Sequence, residues 1–394
     1  MSVYLDHAAS TPMRTEVRDI LLAGLQESGN PSSVHQFGQR SKLRLEEARD
    51  RIAAAIGCDR AEVVFTSGGT ESNNLAVFGL FSARNKGAER PIVLCLGTEH
   101  HAVLEAVEHL ESARGAVVEI IPISPEGHPD LTWLEQFLAD NGQRVALVTA
   151  IWANNETGTI IDIPAIAEFC KRLQIPVHTD GVATVGHAPV NFSESGISTL
   201  ALTGHKIGGP VGMGALIVGR AVALDQQARG GSQERGLRPG TQDVAGAVAL
   251  AAAVELSVAE LESNRSNWEQ LRTRIIHGAM AAVPDVVLVG EALDAPIERR
   301  LSNIVNLVFP GCAGDSLLFM LDSAGVAISN GSACSAGVSS ASHVLTALGY
   351  SKRDASSCVR VSFGRETTSE DIDAFLAALP SAYSKATLAG FTAL

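Results

Sequence analysis

The sequence predicts an α/β fold, a large domain with a mostly parallel sheet covered by helices, plus a smaller α+β C-terminal domain. Three observations lead there. Short apolar runs of strand length recur between about residues 41 and 220, and segments of helical spacing alternate with them. Buried apolar strands that alternate with helices build a sheet covered on both faces. Beyond residue 282 the texture changes, and 394 residues are more than one hydrophobic core normally serves.

Residues 41–55 are charged and amphipathic and stop at Gly57, the behaviour of a helix with a glycine end. EVVFT at 62–66 reads as a strand, and a helix follows from Glu71. Further strands are expected at 92–96, 117–121, 145–151 and 175–178, separated by helices at 101–113, 131–140 and 164–173. Strands at 199–202 and 214–218 complete the series. A Gly-rich stretch, 230–240, precedes one long helix over 242–282. Strands at 286–289, 303–308 and 358–363, with helices at 315–324 and 369–388, form the second unit. The expected division is a large domain over 14–258 and a small one built from 1–13 and 259–394.

Composition excludes several classes. Hydrophobic residues make up 46% and charged residues 19%, the profile of a packed globular enzyme. A formal net charge of −13 argues against binding a phosphate backbone, so no direct nucleic acid partner is expected. The six cysteines form no CxxC pair, which fits reduced thiols in the cytosol rather than a disulfide framework or a zinc site. MSVYLDHAAS lacks the basic-then-apolar pattern of a secretory signal. The longest apolar run, 244–254, is too short to span a bilayer. The expectation is a soluble cytoplasmic protein without a membrane partner.

Chemistry enters with LALTGHKIGGP at 200–210. Lys206 sits where an apolar strand runs into a glycine turn, and burial there makes an amine a nucleophile able to form a Schiff base. The plain alternative is a lysine that snorkels from its turn. Upstream, IPVHTDG ends another strand in Asp180. Ligands of open α/β sheets gather at the carboxyl ends of strands, so the two can face one crevice. Pyridoxal phosphate needs such a pair, a lysine for its aldehyde and a carboxylate for its ring nitrogen; alone, Asp180 reads equally as a cap.

FTSGGTES at 65–72 passes from strand through small residues into a helix, whose N-terminal N–H groups can hold a phosphate with help from Thr70 and Ser72. An ordinary N-cap with Glu71 in the first turn is the alternative. In TEHHAV, His100 can stack on a cofactor ring, with His101 beside it as a competitor, and Asn155 in WANNETG can bond a ring hydroxyl. Cys334, in ISNGSACSAGVSSASHVL, sits among Ser, Gly and Ala, the context of a reactive thiol. The other five cysteines fall in apolar or helical patterns. Arg360 interrupts a strand in CVRVSFGR and can pair with a substrate carboxylate or make a surface salt bridge.

Together these segments resemble the cysteine desulfurases of the class V aminotransferase group, in the long-loop branch that supplies sulfur for iron–sulfur clusters. The resemblance runs through YLDHAASTP, GNPSSVHQFG, FTSGGTESNNLAV, TEHHAV, ANNETG, VHTD, TGHKIGGP, GGSQERGLRPGT, NGSACSAG and RVSFGRETT, in the family's order. It implies a pyridoxal-phosphate-dependent transferase of fold type I, acting as a homodimer. Lys206, Cys334 and His100 would be catalytic. Gly69, Thr70, Thr203, Gly204 and His205 would surround the phosphate, and Thr241 would reach the neighbouring subunit's phosphate. Asp180 would face the ring nitrogen, and Asn155 the ring oxygen. Asn30, Asn155 and Arg360 would hold L-cysteine, which leaves as L-alanine while Cys334 becomes a persulfide.

The acceptor would be an iron–sulfur scaffold protein or another sulfur carrier, tRNA thiolation included. No metal site is implied except a role for Cys334 as a cluster ligand. One position departs from the family: Ala183 stands where a glutamine usually contacts the ring oxygen. Selenocysteine lyase, another pyridoxal-phosphate activity, or a non-catalytic assembly protein are the alternatives the residues leave open.

Overall fold

The structure, a computed structural model, describes residues 2–87, 89–331 and 341–391. The chain opens with β1 (Val3–Tyr4), α1 (Thr15–Leu25) and α2 (Gln36–Ile56). The main sheet and its helices follow as β2 (Val63–Thr66), α3 (Gly69–Arg84), β3 (Ile92–Leu96), α4 (His101–Arg114) and β4 (Val117–Ile121). Next come α5 (Leu131–Asn141), β5 (Val145–Thr149), α6 (Ile163–Lys171), β6 (Val177–Asp180), α7 (Phe192–Ser195), β7 (Thr199–Thr203) and β8 (Gly214–Val218). The remainder comprises α8 (Val244–Ala259), α9 (Leu261–Ala282), β9 (Val287–Leu288), β10 (Ile304–Val308), α10 (Gly314–Ser323) and β11 (Val326–Ala327). It closes with α11 (His343–Ala347), α12 (Lys352–Ala355), β12 (Cys358–Ser362) and α13 (Ser369–Phe391).

The main sheet has seven strands in the order β2-β8-β7-β6-β5-β3-β4. Its five strands from β7 to β4 run parallel, and β8 is antiparallel to both β7 and β2. The period of two explains why the strands are apolar throughout. Val63, Phe65, Ile92, Leu94 and Leu96 enter one core, while Val64, Val93 and Cys95 enter another on the opposite face. The first core is closed by α2, α6 and α8, the second by α3 and α4. Each fully buried Val, Leu or Ile contributes about 1.5–3 kcal/mol relative to exposure. Polar residues on either face would forfeit that.

The expected single helix over 242–282 is two helices, bent by 64° at Glu260. The two halves serve different cores, which is the physical reason. α8 is buried nearly all round in the main core, whereas α9 turns Trp268, Leu271, Ile275 and Ile276 into the smaller one. Arg14 clamps the break, donating to both oxygens of Glu260 at 2.9 and 2.8 Å. α1 gave no start signal because its N-cap residue, Arg14, makes no side-chain cap.

The smaller unit holds an antiparallel sheet, β12-β10-β9, and the parallel pair β1-β11. Val3 and Leu5 from the start of the chain sit in its core beside α9, α10 and α13. This arrangement lays β12, and Arg360 on it, against the carboxyl edge of the main sheet. Among the described residues no single helix is long and apolar enough to cross a membrane.

Candidate active site

A cavity of about 280 Å³ opens at the carboxyl edge of the parallel strands, where open α/β sheets bind ligands. Each sheet element delivers side chains to it. β3 ends just before His100, β5 leads to Ile151 and Asn155, β6 terminates in Asp180, and β7 runs from Thr203 into His205 and Lys206. Gly69 and Thr70 open α3 on the same side, and the smaller unit closes the mouth with Gly331, His343 and Arg360.

The small residues at the start of α3 are required by space. A Cβ on Gly69 would come within 2.6 Å of a Val182 methyl, and Gly68 adopts φ 151°. The backbone therefore approaches the cavity closely at the first turn of α3, where helix N–H groups can bind phosphate. On the opposite side the Lys206 turn is tied down by its backbone. Ile207 and Gly209 both donate to Gly204 O, at 3.0 and 2.8 Å, and Thr11 N donates to His205 O at 2.8 Å.

Asp180 is buried, and both its oxygens accept N–H donors, from Asn73 Nδ2 at 2.6 Å and Val182 N at 2.8 Å. His100 caps α4, its Nδ1 accepting from Ala102 N at 3.1 Å, so the neutral ring carries its proton on Nε2. Burial pulls the His100 pKa down, Asp180 opposes this, and Lys206 adds to it. Burial likewise lowers His205, again with a contribution from Lys206.

Arg360 is buried rather than at the surface. Its Nη1 donates to Asn155 O at 3.0 Å and its Nη2 to Asp6 Oδ1 at 2.9 Å, while Nε has no partner among the described residues. Glu156 accepts from Ser342 Oγ at 2.6 Å, and burial raises its pKa. The residues fit pyridoxal phosphate: an amine, a donor-held carboxylate, a helix N-terminus and hydroxyls around one cavity.

Of the residues singled out in the sequence, Gly69, Thr70, His100, Asn155, Asp180, Thr203, His205, Lys206 and Arg360 converge on this cavity, with Gly204 in the turn between. His101 lines it too, so the two histidines are not exclusive. Asn30 and Thr241 do not join; both are exposed, away from the lining. Ser72 is turned away from any phosphate, buried and paired with Thr66 Oγ1 at 2.8 Å. Cys334 lies outside the described residues. Asn73, Glu156 and His343 were not given a role, although they stand inside the quoted segments FTSGGTESNNLAV, ANNETG and ISNGSACSAGVSSASHVL. Ala183 lines the cavity as a small apolar residue.

Fold and site together define a cofactor-dependent transferase of the α/β type. Residues 3–375 match the aminotransferase class-V family, and the chain belongs to it. It is 41% identical over 391 residues to an IscS-like cysteine desulfurase of Mycobacterium tuberculosis, covering 99% of this chain and 98% of that protein. It is 40% identical to the cysteine desulfurase IscS of Dictyoglomus turgidum, covering 94% and 92%. Among solved structures, a NifS-like protein superposes with a TM-score of 0.86 at 30% identity, covering 98% of this chain and 100% of that one. A structure described as SspA in complex with cysteine matches with a TM-score of 0.78 at 30% identity, covering 92% and 99%.

Proposed function

We propose that this chain is a pyridoxal-phosphate-dependent cysteine desulfurase, converting L-cysteine to L-alanine and carrying the sulfur as a persulfide on Cys334. The observation that carries the reading is the meeting of Lys206 and Asp180, from adjacent strand ends, in a cavity whose wall includes Gly331, three positions before Cys334 in sequence.

Bound pyridoxal phosphate supplies an aldehyde for the substrate amine and a ring that draws electrons from Cα. The rest is done by the chain's own residues. Gly69, Thr70, Thr203 and His205 would hold the phosphate. Asp180 would keep a proton on the ring nitrogen, and Asn155 would bond the ring oxygen. Lys206 would hold the cofactor through its amine and, once freed, would move the substrate's Cα proton. His100 would lie against the ring and hold a proton at Nε2. Arg360, with Asn155, orients the substrate carboxylate. The Cys334 thiolate attacks the substrate Sγ. The Cβ–Sγ bond breaks with its electron pair left on carbon, which takes a proton to become the methyl of alanine, and an S–S bond forms at Cys334.

The same reading makes the chain a homodimer, in which Thr241, exposed on this chain, would reach the neighbouring subunit's phosphate. It assigns the persulfide to an iron–sulfur scaffold protein or another sulfur acceptor in the cytoplasm. The test is alanine release from L-cysteine. The wild-type protein releases it with a reductant present, whereas Lys206→Ala and Cys334→Ser do not. Sulfide and alanine from Cys334→Ser at the wild-type rate would overturn the assignment.

A further inference from the structure

Below the cavity, four side chains from three elements form one hydrogen-bonded line. Thr199 of β7, His178 and Asp180 of β6, and Asn73 of α3 are each no more than 2% exposed. Thr199 Oγ1 lies 2.9 Å from His178 Nδ1, His178 Nε2 lies 3.0 Å from Asn73 Oδ1, and Asn73 Nδ2 lies 2.6 Å from Asp180 Oδ2. The line has a direction, fixed from its carboxylate end. Asp180 accepts, so Asn73 must turn its NH₂ toward it, because the reverse amide would set oxygen against oxygen. The Asn73 oxygen then needs a donor, which makes His178 Nε2 the protonated nitrogen. His178 Nδ1 is left to accept the Thr199 hydroxyl proton.

His178 is suited to this neutral role, since burial pulls its pKa down to about 4 against the pull of Asp180. A second buried carboxyl shows what the line does. Glu99 accepts from Thr149 Oγ1 at 3.2 Å, but its Oε2 has no partner among the described residues, and burial holds its pKa well above the carboxylate range. The groups that face Asp180 electrostatically are Glu99, His100 and His178, with Lys206 acting on His100. Of the two carboxyls, Asp180 has N–H donors on both oxygens, whereas Glu99 leaves one oxygen without a partner among the described residues.

We propose that Asn73 is the positioning residue for Asp180, and that His178 and Thr199 fix the amide orientation it needs. The line fixes the orientation of the Asp180 carboxyl group at the cavity wall, where it would meet the cofactor's ring nitrogen, and so rests on the cofactor reading above. Replacing a donor by an acceptor at this point affects cofactor binding directly. Replacing the far end affects it only through loss of orientation.

The test is titration of wild type, Asn73→Asp, Asn73→Ser and Thr199→Val with pyridoxal phosphate, followed by visible absorbance across pH, with a thermal melt of each variant. Asn73→Asp is expected to weaken cofactor affinity by about tenfold or more, the loss of a charge-assisted hydrogen bond. The added negative charge should also raise the pH midpoint of the absorbance by about one unit. Asn73→Ser should weaken affinity by a smaller factor, and Thr199→Val by about two- to threefold. Thr199→Val keeps the shape of the core, so the proposal stays testable if the Asn73 variants fail to fold. Affinity and absorbance profiles unchanged in Asn73→Ser and Thr199→Val, with only the melting temperature lowered, would reduce Asn73 to a structural role and overturn the proposal. No visible band in the wild-type protein would overturn the cofactor reading, and the proposal with it.

Discussion

The cavity has two unlike walls. The main-sheet wall holds Asp180 with donors on both oxygens, backed by the Asn73–His178–Thr199 line. The wall contributed by the smaller unit leaves polar atoms open: Arg360 Nε and His343 Nδ1 are buried without partners among the described residues. Buried polar groups are normally satisfied, and an exception asks for an occupant. The difference separates two tasks. On the proposed reading the sheet wall would hold the cofactor, and the other wall, with Arg360, would hold the substrate. Strand ends suit the first task because their register is fixed by the sheet on both sides.

Each wall can be broken separately. On the proposed reading the largest effect is expected from Lys206→Ala on the sheet side, where loss of the amine proposed to move the Cα proton should cut turnover by about 10²–10⁴-fold or more. The visible absorbance of the covalently held cofactor should vanish as well. On the other wall, Arg360→Gln is expected to raise KM for L-cysteine by about 10–100-fold, the worth of a lost charge-assisted hydrogen bond. Cofactor affinity should change little. A matching loss of cofactor affinity in Arg360→Gln would erase the distinction between the walls.

A smaller effect concerns acid stability. His178 and His7 both have folded-state pKa values lowered by burial to about 4, from an ordinary value of 6.5. A buried neutral histidine must take up a proton on unfolding, so its contribution is fully present above pH 6.5. It is lost as pH falls from 6.5 toward 4 and is gone below that. For His178 the depression corresponds to about 3 kcal/mol. Thermal melts should therefore drop between pH 7 and pH 4.5, and His178→Asn should flatten that slope while lowering stability at pH 7. The smallest effect is expected at Ala183. Ala183→Gln places an amide beside the ring oxygen, and should shift the pH midpoint of the cofactor absorbance without changing the fold. An unchanged midpoint would mean that the ring oxygen is already served by other donors.

Much of the sheet wall was legible in the sequence, because it follows from local pattern. An apolar strand ending in a polar residue fixes both a place and a direction. Lys206, Asp180 and the turn at 65–72 could therefore be read one at a time, whereas Thr203 entered only through the resemblance. Cross-element pairing was not legible. Nothing in α3 alone says that Asn73 meets His178, which lies far along the chain and is joined to it only once the sheet is assembled. Periodicity identified Arg360 as an interruption of its strand, but whether it pointed outward or inward depended on how the small sheet sits against the large one. The break at Glu260 was missed for a similar reason: both halves are good helices, and only the need to serve two cores bends them. Asn30 and Thr241 lie exposed and outside the cavity lining, and nothing in their local pattern separates them from the residues inside it.

If the two walls together pass sulfur from L-cysteine to Cys334, intact-mass measurement after one equivalent of L-cysteine, with alanine quantified in the same sample, should register it. A gain of one sulfur atom on the Cys334 peptide is expected, with one alanine per persulfide formed. Alanine without added sulfur on Cys334, or pyruvate in place of alanine, would rule the transfer out.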